Sequence, residues 1–479
     1  MLTSSSRCGG FLLPTVNSIV FLFTLVNAAT APAVAQTFAA GTDMPIARLC
    51  TNQCPQSDQK IAVDSAGNAT AIWTEKVDTR SRIVTARLTT GASRWNTPQR
   101  LHFEEGTNTD IGVDATGNVI AVWSVKRSET EFALRFSRYI ASQGIWTRPA
   151  DAMTVSPNDV RSNLAVAKNG SAAIATGGAT FHNGTLAVFN VATSTWQRLP
   201  LSYPEHIMAL KAAMDASGNA FIAFVYKGYR GFTSLNVVRY DAATQRINNH
   251  TALDSHFPDY SPYVPANGVG EFIGMALSMD RYGAGMALWQ FKLTSPDGQI
   301  TRTIRSARYR TATQVWSAKS IPKISNDKII GEAALSTDLN THVNAVWTQY
   351  IGAYARTVSA RYSAWTGLWS TPRVIQSGNF NTREPRIVTD TNGNAFATWS
   401  QRSDSGTGTL ASAIHRTTAA RYSASTGTWG SPRIVQDAYR NAYKNELGID
   451  GKGRAIVLWP QDSTITGVKE LRTDRLIPQ

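Results

Sequence analysis

The stretch "RYSAWTGLWSTPRVIQ" begins at Arg361, and "RYSASTGTWGSPRIVQ" follows from Arg421. A chain that writes one pattern twice folds by repetition, so its period is read before anything else. The shared unit sets an aromatic and a Trp seven residues apart: Tyr139/Trp146, Phe189/Trp196, Tyr309/Trp316, Tyr362/Trp369 and Tyr422/Trp429. Leu88/Trp95 and Tyr240/Ile247 are degraded copies. A second unit precedes it: Asp, two residues, Gly, usually Asn, then Trp nine after the Asp. It starts at Asp64, Asp114, Asp280, Asp390 and Asp450, and at Asp338 as "DLNTHVNAVW" with Thr in the Gly position. The copy from Asp215 puts Phe224 where Trp should stand, and "AKNGSAAIAT" keeps Gly170 but loses both Asp and Trp. Twelve of the thirteen Trp occupy these two positions, so the aromatics follow the repeat; Trp365 stands apart.

Each unit has β chemistry. An alternating stretch such as "KIAVD" enters, Asp-x-x-Gly-Asn turns, and "ATAIW" leaves. Asp first and Gly fourth are the residues a type I turn prefers. A third strand such as "TVSARYS" and a fourth, "LWSTPRVIQ", complete the unit. Four short strands repeated about every 50 residues predict an all-β propeller, with Trp and small residues packing blade on blade. Eight blades is the count, and seven is the alternative if the degraded stretch from 160 to 250 forms fewer. The chain ends on "RAIVLWPQDSTITGVKELRTDRLIPQ", three strands without a fourth. The segment near Pro45 to Leu49 is therefore expected to supply the missing outer strand and close the ring.

Residues 1–35 read as a secretory signal peptide: Arg7, an apolar run from Phe11 to Val26, then Ala33-Val34-Ala35, with Val26-Asn27-Ala28 as a second cleavage site. Residues 36–479 then form a single propeller domain, of which 36–58 is the closing strand and a Cys-x3-Cys loop. No later run has the roughly 18 apolar residues of a spanning helix. A secreted or periplasmic monomer with no transmembrane segment in the mature chain is expected. In such a compartment Cys50 and Cys54 of "CTNQC" read as a local disulfide.

"TGGATFHNGTLAVFNVATSTWQRLPL", from Thr176, resembles a kelch repeat through Gly177-Gly178, the following aromatic and Trp196. The set as a whole resembles exported bacterial β-propeller repeat proteins with D-x-x-G-N…W units. That resemblance spans residues 40 to 479 and implies the fold; activity on such a ring varies from enzyme to lectin to scaffold.

Repeated residues serve the repeat. Arg87, Arg138, Arg239, Arg308, Arg361 and Arg421 precede the third-strand position and are expected to pair with turn Asp residues. A calcium role for those turns is disfavoured, since one carboxylate and one amide fall short of 6–8 oxygen ligands. A copper oxidase of the galactose oxidase kind needs a Cys joined to a Tyr in a blade, and neither mature Cys lies in one. No phosphate loop, G-x-S-x-G or H-E-x-x-H occurs. No catalytic residue, cofactor or metal is assigned.

Irregular loops carry function on repeat folds. The second-to-third-strand loops hold Lys76, Arg80, Lys126, Arg127, Lys227, Arg230, Lys292 and Arg402. The longest connector adds His256, Tyr260 and Tyr263. Cations beside aromatic rings suit an anionic glycan, whereas the net charge of +14 without a dense basic stripe does not point to nucleic acid. The expected function is a non-catalytic binding or scaffold propeller engaging a glycan, envelope component or protein. A carbohydrate-active enzyme, such as a sugar isomerase or polysaccharide lyase, is the alternative. Mass spectrometry of non-reduced exported protein should find Cys50 joined to Cys54; two free thiols would remove the disulfide.

Overall fold

The computed structural model describes residues 38–40, 44–46, 56–77, 80–102, 104–156, 161–177, 184–201, 206–228, 231–257, 260–261, 264–265, 268–319, 321, 329–376, 378–403, 414–436, 440–463 and 468–479. Cys50, Cys54, Arg230 and Tyr263 lie outside them. Among the described residues the regular elements are strands, and they form eight antiparallel sheets of four strands or more plus one two-stranded hairpin. The eight sheets are the blades of a β-propeller. Blade 1 shows the plan: Gln56–Val63 innermost, then Ala69–Val77, Arg80–Leu88 and Gln99–His102. The other inner strands are Thr107–Val113, Arg161–Val166, His206–Met214, Val269–Met279, Ile329–Thr337, Phe380–Thr389 and Glu446–Ile449. Each touches the next, and Glu446–Ile449 of blade 8 returns to Gln56–Val63 of blade 1.

The N-terminal clasp is present and begins earlier than the sequence suggests. Phe38–Ala40 pairs with the last strand, Lys469–Pro478, with Phe38 opposite Pro478, and Met44–Pro45 pairs opposite Thr473 and Arg472. Two short pieces thus cover the outer edge of blade 8, which would otherwise offer unpaired backbone to another chain.

The seven-residue spacing of the opening repeat is a cross-strand register. Tyr362 pairs with Trp369 and Tyr422 with Trp429, and the same holds for Tyr139/Trp146, Phe189/Trp196 and Tyr309/Trp316. Their ring centroids lie 5.2–5.6 Å apart and tilted, the arrangement aromatic quadrupoles favour. The other Trp series packs between blades. Trp73, Trp123, Trp347, Trp399 and Trp459 are fully buried, each among Ala, Val and Ile of its own and an adjacent blade.

The Asp turns lock neighbouring blades together. Asp390 Oδ1 accepts the N–H groups of Asn392 and Asn394, and its Oδ2 accepts from the Asn394 amide. Asn394 Oδ1 then accepts the Ala424 N–H from the turn between the third and fourth strands, as Asn68, Asn118 and Asn219 do in their blades. The fourth-position Gly is required twice over. Gly393 has φ +85°, and a Cβ on it would stand 2.8 Å from Asp338 Oδ2 and 2.9 Å from the Arg361 guanidinium, both of the preceding blade. Gly67, Gly117, Gly170, Gly283 and Gly453 meet the preceding blade's Asp in the same way. Arg361 completes the lock, donating to Asp338 at 2.6 Å and to the Gly393 carbonyl at 3.1 Å.

Arg308 pairs with Asp280 and Arg138 with Asp114, as the repeat implies. Arg239 departs from it and pairs with Asp241. Arg87 instead bonds Thr70 and lies 4.0 Å over the Tyr139 ring.

Gly393→Ala and Gly91→Ala separate the two demands. Both positions have positive φ (+85° and +83°), but nothing stands within 4 Å of a Cβ at Gly91. Gly91→Ala should lose about 1 kcal/mol from backbone strain alone. Gly393→Ala should lose on the order of 3 kcal/mol, because Asp338 and Arg361 hold each other and cannot give way. Equal losses in denaturant unfolding would show that the inter-blade contact carries no stability.

Candidate functional site

Antiparallel blades put the Asp turns and the third-to-fourth turns on one face. The second-to-third hairpins and the blade connectors lie on the other. On this connector face the inner strands bulge: the register shifts between Ser57 and Lys60, Thr107 and Asp110, Ile207 and Ala209, Phe272 and Gly274, Ile330 and Ala333, and Arg383 and Arg386. Bulges re-aim side chains at a rim.

Just past the bulges, four residues before each turn Asp, runs a belt of residues at the centre of the ring. It carries Arg386, Glu446, Lys60, Asp110, Asn163 and Lys211 in blades 7, 8, 1, 2, 3 and 4, and Ala276 and Ala334 in blades 5 and 6. Asp110 accepts the Leu164 N–H and Asn163 the Ala212 N–H, so these side chains bridge to the next blade. Lys60 bonds Glu446 at 2.8 Å, and Arg386 stands 3.9 Å from the other oxygen of that carboxylate. Burial alone would lower the Lys60 pKa, but the Glu446 and Asp110 carboxylates together raise it. Burial raises Asp110 despite the opposing charge of Lys60. The belt is a chain of internal ion pairs. Its signal was in the sequence: aligned on the turn Asp, the blades place charges at one column.

A second cluster lies where blades 7 and 8 meet on the connector face. Ala395–Ser403 and His415–Ser423 pair so that Arg402 stands opposite His415, with Asn381 on the other side of Arg402. Two residues on from Asn381 is Arg383, which is exposed. The His415 ring stacks on Tyr443 at 6.5 Å and 20°, and the Lys469 ammonium lies 3.6 Å from the centre of the same Tyr ring. Tyr443 donates its hydroxyl to Asp462 at 3.0 Å, and Asn441 donates to the same oxygen. Burial first, then the Asp462 hydrogen bond and charge, push the Tyr443 phenol up to about 12, so it keeps its proton. Burial first, then Arg402 and Arg383, lower the His415 pKa against a smaller pull from Glu384. The corner therefore offers a neutral imidazole, a protonated phenol and three cations, a setting that favours an anion.

The described loop cations named from sequence lie on this face but do not converge. Lys126 pairs with Glu129, Arg127 with Glu104 and Asp151, and Lys292 with Glu271. These pairs offset their charge. Lys76 and Arg80 flank the blade 1 hairpin, and Lys227 stands opposite Thr233, itself opposite His256; all three cations are exposed. His256 is anchored, its Nε2 bonding the Gly268 carbonyl and its ring packing on Phe291. Tyr260 falls in a small hairpin, Tyr260–Ser261 with Val264–Pro265. Arg402 alone among the named cations joins the corner cluster. His415, Tyr443, Arg383 and Lys469 were missed because each occurs once and at no repeated column. Among the described residues no group of three His, Cys, Asp or Glu side chains could hold a metal ion, and no helix is long and apolar enough to cross a membrane.

No family model matches the chain. No curated protein matches it in sequence. Solved structures resemble it in the course of the chain. A protein of unknown function from Dyadobacter fermentans DSM 18053 has 10% identity and a TM-score of 0.42, over 92% of this chain and 99% of that one. An ulvan lyase of a new polysaccharide lyase family has 11% identity and a TM-score of 0.45, over 93% and 95%. The hydrazine synthase of Kuenenia stuttgartiensis has 10% identity and a TM-score of 0.44, over 73% and 94%. At this level the chemistry of those proteins stays theirs.

The His415 shift fixes a sign for pH dependence. The folded protein holds this imidazole below its usual range, so the unfolded chain binds the extra proton first. The contribution is complete above the ordinary value near 6.5 and is lost as pH falls from there toward the lowered one. His415→Gln should therefore lose less stability than the parent between about pH 7 and 5. Parallel stability curves across that window would show that His415 is not held neutral.

Proposed function

We propose that the chain is an exported propeller whose connector face binds an acidic glycan, centred on the corner of blades 7 and 8. The observation that carries the reading is the pairing of Arg402 with His415 beside Arg383 and over the Tyr443 ring. Guanidinium groups match carboxylate or sulfate oxygens two at a time, and the neutral imidazole adds a donor, while the Tyr443 hydroxyl is held by Asp462. The exposed Lys76, Arg80 and Lys227 extend a weaker positive field around the same face. Export rests on the leader-like residues 1–35, and kinship to kelch-type propellers rests on Gly177, Phe189 and Trp196 in blade 3. A monomer acting without a cofactor suits this reading, and an envelope protein bearing a clustered acidic surface would meet the same cations.

One observation favours a second reading, a polysaccharide lyase. A neutral His415 beside a protonated Tyr443 and two guanidinium groups is the set that β-elimination from a uronate needs. The arginines would hold the carboxylate, and His415 would take the proton from the carbon next to it. The glycosidic C–O bond would break as the C=C bond forms, Tyr443 would turn its O–H from Asp462 to protonate the leaving oxygen, and solvent would return that proton to Tyr443 and take the one on His415.

Affinity electrophoresis with polygalacturonate, alginate and a sulfated galactan tests the first reading. Arg383→Ala with Arg402→Ala should weaken binding at least tenfold, about 1.4 kcal/mol, and flatten its salt dependence. Binding untouched by that pair, or no binding to any of the three, would overturn it. Ultraviolet absorbance of unsaturated uronate ends tests the second, in which His415→Gln abolishes product while binding persists.

A further inference from the structure

Blades 6 and 7 are near-duplicates, so each is a control for the other. Their third-to-fourth turns read SAWTGLW and SASTGTW on the same backbone course, with Tyr362 and Tyr422 opposite Trp369 and Trp429. Blade 6 replaces Ser425 by Trp365 and Thr428 by Leu368. Both newcomers face solvent: Trp365 is 83% exposed and Leu368 67%. The adjacent Asp turn of blade 6 departs as well. Thr341 and His342 stand where blade 7 has Gly393 and Asn394.

These departures meet at one place. Thr341 has φ +65°, a region a β-branched residue rarely occupies. Yet His342 keeps the job of Asn394: its Nδ1 accepts the Ala364 N–H at 3.0 Å, which leaves the proton on Nε2. The His342 ring then meets the Trp365 indole edge-on, centroids 4.5 Å apart at 85°. The turn bearing Trp365 forms the ridge between two clefts. One of about 340 Å3 toward blade 5 is lined by Tyr282, Arg310, Thr311, Thr341 and Ala364. The other, about 460 Å3 toward blade 7, takes in Thr366, Leu368 and Arg373. Tyr282 is 59% exposed, with the Arg281 guanidinium 4.5 Å from the centre of its ring. Arg310 reaches across from blade 5 to within 3.6 Å of where a Cβ of Gly367 would stand.

We infer that this turn-face ridge of blade 6 is a binding site for an uncharged, gluco-configured pyranose chain, with Trp365 as its stacking platform. A pyranose with all substituents equatorial presents a flat C–H face, which an open indole covers. Its hydroxyls need mixed donors and acceptors, and Thr311 and Thr341, which line the cleft toward blade 5, are of that kind. Of the nearby cations, Arg308 pairs with the buried Asp280 and Arg281 bonds the Tyr282 hydroxyl, while Arg310 and Arg373 are exposed at the two clefts. The uncharged character of the ligand follows from the exposed indole platform, and the salt dependence of binding separates it from an acidic sugar drawn by Arg310 and Arg373. Both clefts fall within the range of small-ligand sites, roughly 300–1,000 Å3. The site lies on the face opposite the proposed acidic-glycan corner and does not depend on it.

Calorimetry with cellohexaose and chitohexaose on the full mature chain tests the inference. The parent should bind at least one of them with little dependence on salt. Trp365→Ser with Leu368→Thr, the residues blade 7 already carries on this backbone, should bind at least tenfold more weakly without loss of thermal stability. Arg383→Ala with Arg402→Ala should leave this binding unchanged. Parent protein that binds neither oligosaccharide overturns the inference, as does a variant that binds as well as the parent. A variant that turns a dimer into a monomer also overturns it, because the ridge would then be a contact between two copies of the chain.

Discussion

The ring depends on one carboxylate used on two sides. Inside its own blade, a turn Asp accepts backbone N–H groups two and four residues on, which fixes the reversal between the inner and second strands. Across the gap, its other oxygen sits against the fourth-position Gly of the following blade. A blade cannot bury its own faces, so the contact that sets the angle to its neighbour also sets the closure of the whole. Hydrogen bonds to an ionised acceptor are stronger than neutral ones, and these Asp residues are almost wholly buried. Where blade 3 has lost the Asp to Ala167, Asn169 stands against Gly218 in its place. The packing survives the substitution because a side chain still occupies the contact.

That device makes the fold legible in sequence. Asp and Gly sit at fixed spacing because a turn demands it, and an aromatic and a Trp sit seven apart because they face each other across two strands. Both are local rules repeated often enough to stand out. The closing strand was legible from a deficit, three strands at one end and none of their partners, although its start at Phe38 carries no motif. The corner of blades 7 and 8 was not legible. His415 begins a third strand, Tyr443 lies in a connector and Lys469 opens the last strand, and no spacing rule joins them. Arg402 was found for a general reason, as a loop cation. The same reason also picked Lys126, Arg127 and Lys292, whose carboxylate partners on the protein offset them.

The two faces divide the labour that the repeat allows. On the turn face the blades share one kind of lock, with Asn169 in the contact in blade 3 and Thr341 in place of the Gly in blade 6. On the connector face the inner strands bulge and the hairpins vary in length, so side chains there are free to differ from blade to blade. The belt of Arg386, Glu446, Lys60 and Asp110 lies between the two regimes. It occupies a repeated column but carries alternating charges that pair around the centre. Breaking one member strands a partly buried charge, so its loss costs more than the intact belt contributes.

Blade 6 contradicts this division, and that is the reason to read it closely. Its turn belongs to the locked face, yet it gives up the Gly that its neighbours keep. Thr341 in a left-handed conformation costs roughly 1–2 kcal/mol, and an indole exposed to water beside it gains nothing for the fold. Asp338 still accepts its two N–H groups and still holds Arg361 at 2.6 Å. The lock toward blade 7 is therefore intact, and the change is confined to the side that faces blade 5 and solvent. Drift would be expected to erode the lock itself, as in blade 3. A blade that keeps its Asp, its Arg and its Tyr–Trp register, lets a buried His342 take over the Asn bond, and sets an exposed Trp365 and Leu368 on the ridge has kept the lock toward blade 7 and changed what it shows to solvent.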